Sequence, residues 1–249
     1  MKLLNQRYGV NGFFFNDDTF VVDKKRVFSF CQLLRDEGLD VVWYCNSRVD
    51  LMNKELLKAM YDAGCRGIAY GIESGNQQIL DSMKKNVTLE QITNAIKWAK
   101  EAGIHVSGYF MIGMLGETKD TIRQTTAFAK ELDLDYYGFS LVTPLLGTEL
   151  YDAAVQRGLI PAEKTALLKD LTFGVNINLT ENCSNEDLAA FENKAFREFT
   201  LKNFGRFFMF NPAFLKKAAR IILSLRNIEE SRELTKKAGM LIQSYWHKA

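Results

Sequence analysis

TLEQITNAIKWAKEAGIHVSGYFMIGMLGET, residues 88–118, contains one whole helix–strand unit of the architecture. Thr88 stands where an N-cap belongs, and Leu89, Ile92, Ile96 and Ala99 fall on one helical face behind it. Ala102-Gly103 supplies the left-handed stop, and Ile104–Ile112 then reads as a strand. Gly113, Gly116 and Glu117-Thr118 follow before the next helical pattern, over 118–132. Outward from this unit the same cadence repeats. Gly12–Phe15, Leu39–Tyr44, Gly67–Ile72 and Tyr136–Val142 read as further strands, with helical patterns over 24–37 and 53–63 between them. Gly38 and Gly64 end helices as Gly103 does. Strict strand–helix alternation requires parallel strands with right-handed crossovers. The strand starts lie about 27, 28, 37 and 32 residues apart, which suits either a barrel or an open sheet.

The cadence changes near Leu146-Gly147-Thr148. A helix is expected over 148–158, Pro161 follows, and Leu171–Leu179 alternates as a strand would at Phe173, Val175, Ile177 and Leu179. From Asn185 onward the pattern is helical, with breaks expected near Gly205 and Asn211-Pro212. The expected domains are therefore an α/β unit over 1–180 and a helical region over 181–249.

Thirty-two basic against thirty acidic side chains leave +2, so global charge gives no reason to bind nucleic acid. A 47% hydrophobic content argues against disorder. No apolar run approaches the roughly eighteen residues of a membrane span, and residues 1–10 carry no signal-peptide core. The four cysteines (Cys31, Cys45, Cys65, Cys183) stand 14, 20 and 118 positions apart with no CxxC pair, so neither a disulfide framework nor a zinc site is expected. The expected location is the cytoplasm. One stretch departs from the balance: Phe196 to Arg226 carries seven Lys/Arg, one Glu and a series of phenylalanines. It reads either as a barrel cap with solvated charges or as a surface for an anionic membrane, a greasy acidic substrate or a further domain.

Parallel α/β folds bind ligands beyond the carboxyl ends of their strands. Asn16-Asp17-Asp18 follow the first strand; Cys45, Asn46, Ser47 and Arg48 follow the second. Glu73-Ser74-Gly75 follow the third, Gly113 to Glu117 the fourth, and Thr143-Pro144 with Gly147-Thr148 the fifth. Each tail also has a plainer reading: Asp17-Asp18 as turn formers, Glu117-Thr118 as helix-start chemistry, Arg48 as the partner of Asp50. GMLGET is neither a Walker loop nor a GxGxxG fingerprint. His105 falls inside a strand and reads as structural, which leaves imidazole catalysis without support.

Arg48-Val-Asp50, Ala63-Gly-Cys65, Gly71-Ile-Glu-Ser-Gly75, Met83-Lys-Lys85, Thr88-Leu-Glu-Gln91, Phe110-Met-Ile-Gly113, Gly116-Glu-Thr118, Thr143-Pro144 and Gly147-Thr148 occur in this order. Over about residues 11–160 the chain thereby resembles the barrel of radical S-adenosylmethionine (radical SAM) enzymes, in the subgroup that often carries an N-terminal cobalamin-binding domain. The resemblance implies a partial (β/α)6 TIM-like barrel. It also implies S-adenosylmethionine, a 4Fe-4S cluster and, in this subgroup, cobalamin as cofactors. The family reaction is reductive cleavage of the sulfonium to start radical chemistry such as methyl transfer, oxidation or rearrangement. By resemblance Glu73 and Ser74 would lie near the ribose or amino group, and Gly113 to Glu117 would border the adenine. Asp17 and Asp18 would border the methionyl side, and Arg48 and Lys85 would meet its carboxylate.

One departure is large. The family's CxxxCxxC cluster loop, which follows the first barrel strand, is absent from this chain. The expectation is a fragment that begins after that loop, with the first barrel strand and an N-terminal domain missing and no cluster of its own. A degenerate, non-catalytic barrel that binds a nucleotide or a protein partner is the alternative. A TIM-like lyase or aldolase is disfavoured, because no strand-end lysine or metal triad stands out. Small-molecule or lipid-like substrates, peripheral membrane contact and a homodimer through the exposed first strand complete the expectations.

Overall fold

Five parallel strands lie side by side in sequence order: β1 (Gly12–Phe15), β2 (Val42–Ser47), β3 (Cys65–Glu73), β4 (His105–Ile112) and β5 (Tyr136–Leu141). The computed structural model describes residues 1–160 and 177–208. The helices are α1 (Lys2–Tyr8), α2 (Lys24–Asp36), α3 (Lys54–Asp62), α4 (Gln77–Ser82), α5 (Leu89–Glu101), α6 (Lys119–Glu131), α7 (Glu149–Gln156) and α8 (Asn185–Phe208). The chain divides into two compact units, Met1–Phe199 and Thr200–Ala249.

The strand order never reverses. With right-handed crossovers, a sheet that always steps the same way places all its connecting helices on one face. A doubly wound sheet needs a reversal to cover its second face, so this is the partial wall of a barrel. Burial along the strands agrees. Phe15, Trp43, Cys45, Ile68, Tyr70, Val106, Phe110 and Ile112 pack under the helices, while Phe14, Tyr109 and Tyr136 on the alternate positions are exposed. Rings of Phe15, Phe20, Phe30 and Trp43 anchor the covered face, with centroids 4.6–5.8 Å apart. Trp43 Nε1 donates to Ala63 O at 2.8 Å, so its burial leaves no orphan donor. Register then fixes the rows of the open face: Phe14, Tyr44, Gly67 and His105 in one, Ala69, Ser107 and Tyr136 in the next, and Gly71, Tyr109 and Gly138 in the third.

Most helix bounds match the sequence reading to within a residue, because their caps are local. Thr88 and Thr118 each form a reciprocal capping box, and Asn53 caps α3. The second strand is a correction. It starts at Val42 rather than Leu39 and runs on through Cys45-Asn46-Ser47, which were expected beyond it. Alternating burial continues to Ser47 because pairing with β3 holds these polar residues in the ladder. Cys65, which follows the helix-ending Gly64, lies far from the rim. It opens β3 at the amino end of the sheet and is buried, as Cys31 and Cys45 are. Burial and the neighbouring Cys45 thiol push the Cys65 thiol well above its usual range. The sequence reading missed α1 and α4.

Beyond β5, Ile177 N donates to Val142 O and Leu179 N to Gly113 O, which lays this stretch across the ends of β4 and β5. The strand expected over Leu171–Leu179 otherwise falls outside the described residues. At the start of α8, Ser184 and Asp187 cap each other reciprocally, and Lys119 reaches Asp187 at 2.7 Å. This helix continues through Gly205, where a break was expected. The break at Asn211-Pro212 and most of the basic, aromatic stretch from Phe196 to Arg226 lie outside the described residues.

Candidate functional site

Glu73 is the last residue of β3, and its φ of 69° is left-handed. Ser74 N donates to Ile72 O at 2.9 Å, so the chain closes a three-residue γ-turn of the strained hand around Glu73. Lys84 (φ 54°) and Asn86 (φ 56°) are the only other non-glycine residues with positive φ among those described. They flank Lys85, whose Nζ lies 2.8 Å from Glu73 Oε1. All three outliers therefore stand at one corner of the rim, the kind of place where backbone strain accompanies function.

Arg48, directly after β2, completes this corner. Its guanidinium grips Asp50 at 3.0 and 3.2 Å and donates to Lys85 O at 2.9 Å. Two cations and two carboxylates thus balance. The Glu73–Lys85 pair is less than one-fifth exposed and folds back over Gly71, where a Cβ would stand 2.5 Å from Glu73 Oε1. Ser74, by contrast, points inward. It is fully buried, and its hydroxyl meets Thr125 Oγ1 of α6 at 3.0 Å.

The loop after β4 is a self-contained structure. Gly113 turns the chain at φ 94°, and Glu117 Oε2 accepts from Gly113 N at 2.7 Å and Met114 N at 2.9 Å. Glu117 is fully buried, and its Oε1 has no hydrogen-bond partner among the described residues. Burial pushes its carboxyl up to about 7, against the pull of those two N–H groups. Asp17 and Asp18 sit exposed after β1, and Asn46 Nδ2 reaches Asp17 O at 3.2 Å.

The structure therefore brings Arg48, Glu73 and Lys85 together and keeps Glu117 apart in its own loop. Thr125 is the residue the sequence reading passed over. Its signal was a hydroxyl on the buried stripe of α6, between Ile122 and Ala129. His105 has its Nδ1 3.6 Å from Asp135 at the amino end of the sheet, consistent with a structural role.

The cysteines do not fit an iron–sulfur cluster. All four are buried, and no three His, Cys, Asp or Glu side chains among the described residues are placed to hold a metal ion. A singly wound parallel sheet with its polar and strained residues at the carboxyl rim defines a barrel-type α/β protein. The Radical SAM superfamily pattern matches residues 1–129, more than half of the chain, and the chain belongs to that superfamily. An uncharacterized methyltransferase of Pyrococcus horikoshii is 39% identical over 160 residues, which cover 64% of this chain and 35% of the relative. Cytidylyl-2-hydroxyethylphosphonate methyltransferase of Streptomyces wedmorensis is 27% identical over 206 residues, covering 80% of this chain and 38% of the relative. Among solved structures, apo OxsB, a cobalamin-dependent S-adenosylmethionine radical enzyme, aligns with a TM-score of 0.55 at 16% identity, covering 95% of this chain and 39% of that one. That last likeness is one of fold. The chain spans a little over a third of the length of these proteins.

Proposed function

We propose that this chain is the S-adenosylmethionine-binding part of a radical SAM enzyme, of methyltransferase type, acting on a small-molecule or lipid-like substrate. The observation that carries the reading is the convergence of Arg48, Glu73 and Lys85 on a corner that holds every described left-handed non-glycine residue. Glu73 is suited to the ribose hydroxyls or the ammonium group. Arg48 and Lys85 are suited to the carboxylate, by charge-assisted hydrogen bonds. The Gly113–Glu117 loop would border the adenine with backbone groups, and Asp17 and Asp18 the methionyl side. Ser74 would serve by shaping the turn, since its hydroxyl is engaged inside the protein.

The cluster-binding CxxxCxxC, and a cobalamin-binding domain, would belong to sequence outside these 249 residues. The membership and the two methyltransferase relatives support this reading. β1 is an edge of the sheet, with Phe14 half exposed. Its free edge would take a further strand in a longer protein and a second copy when this chain is alone. No described helix is long and apolar enough to cross a membrane. We place the protein in the cytoplasm.

Calorimetric titration with S-adenosylmethionine tests the site. A dissociation constant in roughly the high micromolar to millimolar range is expected, since no iron anchors the ligand. Glu73→Ala and Gly113→Val should each weaken it. A valine at φ 94° is strained, and its side chain would crowd Leu188, Leu141 and Val142. Binding that ignores both substitutions would show that the assignment is wrong.

A further inference from the structure

Something must hold Glu73 in its strained turn. A non-glycine residue persists there only when its surroundings over-determine it. Lys85 secures the carboxylate, but the backbone is secured from the other side, by α6. Thr125 Oγ1 accepts from Gly75 N at 3.1 Å, meets Ser74 Oγ at 3.0 Å and donates to Thr121 O at 3.1 Å. A hydroxyl has one donor and two acceptor sites, so the proton on the Ser74–Thr125 contact must come from Ser74. Ser74 Oγ in turn accepts from Asn76 N at 3.1 Å. Every hydrogen-bonding site of Thr125 is filled.

Nothing else can take its place. Ser74 and Thr125 are both fully buried. A Cβ at Gly75 would stand 2.6 Å from Phe128 Cβ and 2.8 Å from Thr125 Cα, so α6 lies directly against the turn and leaves no room for a water. The same helix begins next to Glu117, which holds the Gly113–Met114 backbone. α6 therefore fastens the Ser74–Gly75 turn from its second turn, while Glu117, just ahead of its N-cap Thr118, holds the neighbouring rim loop.

We infer that Thr125 is a positioning residue: its hydroxyl locks the Ser74–Gly75 backbone so that Glu73 keeps the left-handed turn that presents its carboxylate at the rim. This rests on the reading of the rim as an S-adenosylmethionine site. Thr125→Val keeps the shape of the side chain but leaves the Gly75 N–H and the Ser74 O–H unpaired in a dry contact. Thr125→Ser keeps all three hydrogen bonds.

The test is calorimetric titration of the full 249-residue chain with S-adenosylmethionine, at a temperature where circular dichroism shows every variant folded. Glu73→Ala runs beside the two Thr125 variants. Amide hydrogen exchange at Gly75 and Asn76 is read on the same samples. Thr125→Val should weaken binding about tenfold, because the turn that presents Glu73 loses both hydrogen bonds to the Thr125 hydroxyl. It should also speed exchange at Gly75 by a similar factor, and Thr125→Ser should restore both. If Glu73→Ala weakens binding while Thr125→Val binds as the wild type does, the inference on Thr125 is overturned and the site assignment survives. If neither substitution changes the affinity, both are overturned. Loss of affinity in Thr125→Val that Thr125→Ser does not restore also overturns the inference, since it would then stem from side-chain shape and not from the hydroxyl.

Discussion

Two lysine–carboxylate pairs sit at opposite ends of the sheet and differ in what else they touch. At the amino end Lys100 Nζ lies 2.7 Å from both oxygens of Asp135, which also accepts from Val106 N at 2.8 Å. That carboxylate is bound to the strand itself and clamps the start of β4 to the residue before β5. Burial alone would raise it, but His105, Lys100 and the Val106 N–H hold it well below the usual carboxylate range. At the carboxyl end Glu73 and Lys85 meet side chain to side chain, on a turn held in a strained conformation from behind. Both pairs are about equally shielded, with exposures of 24% and 24% at the amino end and 19% and 16% at the rim. Burial does not separate them. Attachment to the backbone does: one pair braces the fold, and the other, on the function proposed above, would exchange its partner for a ligand.

The largest effect on stability should come from breaking the brace. Asp135→Ala leaves Lys100 and the Val106 N–H without their acceptor and should cost about 2–3 kcal/mol in denaturant unfolding. Ligand affinity of the folded fraction should not change. Because the folded carboxyl is depressed, its contribution is present above the unfolded value near pH 4 and is lost on further acidification. The acid slope of stability should therefore be shallower in Asp135→Ala, and an unchanged slope would contradict the role given to this pair.

Glu117 sharpens the contrast, as a rim carboxyl with no cation paired to it among the described residues. Its folded value is raised to about 7, so its contribution is fully present below the unfolded value near 4.5 and is lost as pH rises through about 7. Glu117→Gln keeps an oxygen for the Gly113 and Met114 N–H groups and removes the ionisation. It should be more stable than the wild type by about 1–2 kcal/mol at pH 8, with the difference fading toward pH 5. Paired unfolding curves across that range decide it.

Glu73→Ala should show the converse of Asp135→Ala. Stability should change by less than about 1 kcal/mol, since no backbone donor loses its acceptor and the flexible Lys85 stem can carry its charge out to water. Affinity for S-adenosylmethionine should fall about tenfold. A large loss of stability with intact binding would make the rim pair a second brace. The smallest effect is expected at Lys84→Gly. Lys84 occupies the left-handed position that closes α4, with its N–H on Asp81 O, and glycine adopts it without strain. A gain of about 0.5 kcal/mol with unchanged binding should follow.

The longer helices α2, α3, α5, α6 and α7 were legible because their signals are local, whereas the short α1 and α4 were missed. Thr88 with Gln91 and the run Leu89, Ile92, Ile96 and Ala99 define α5 before any partner is known. Where a boundary depended on a partner strand the sequence misled, as at Cys45-Asn46-Ser47, whose polar character suggested a loop while pairing with β3 kept them in the sheet. Of the candidate site, Arg48 and Glu73 were legible as rim positions, and Lys85 was reached only through the family resemblance. Their mutual contact was not, nor was the burial of Ser74 and Glu117, because polarity alone does not say which way a side chain turns.

Alternating apolar and helical patterns, with glycine stops between them, by themselves determined parallel strands, the order of units and the end of the sheet where polar groups gather. Those are consequences of periodicity within a few residues. Tertiary structure alone decided that Lys85 meets Glu73 across twelve positions, and that Thr125 locks the Ser74–Gly75 turn from fifty positions away. The reason is geometric. Such contacts depend on how far each strand slides against its neighbour and how closely a helix settles on the sheet. Those distances are set by packing of the whole covered face, from Phe15 and Trp43 to Phe110 and Ile112, and not by any short stretch of chain.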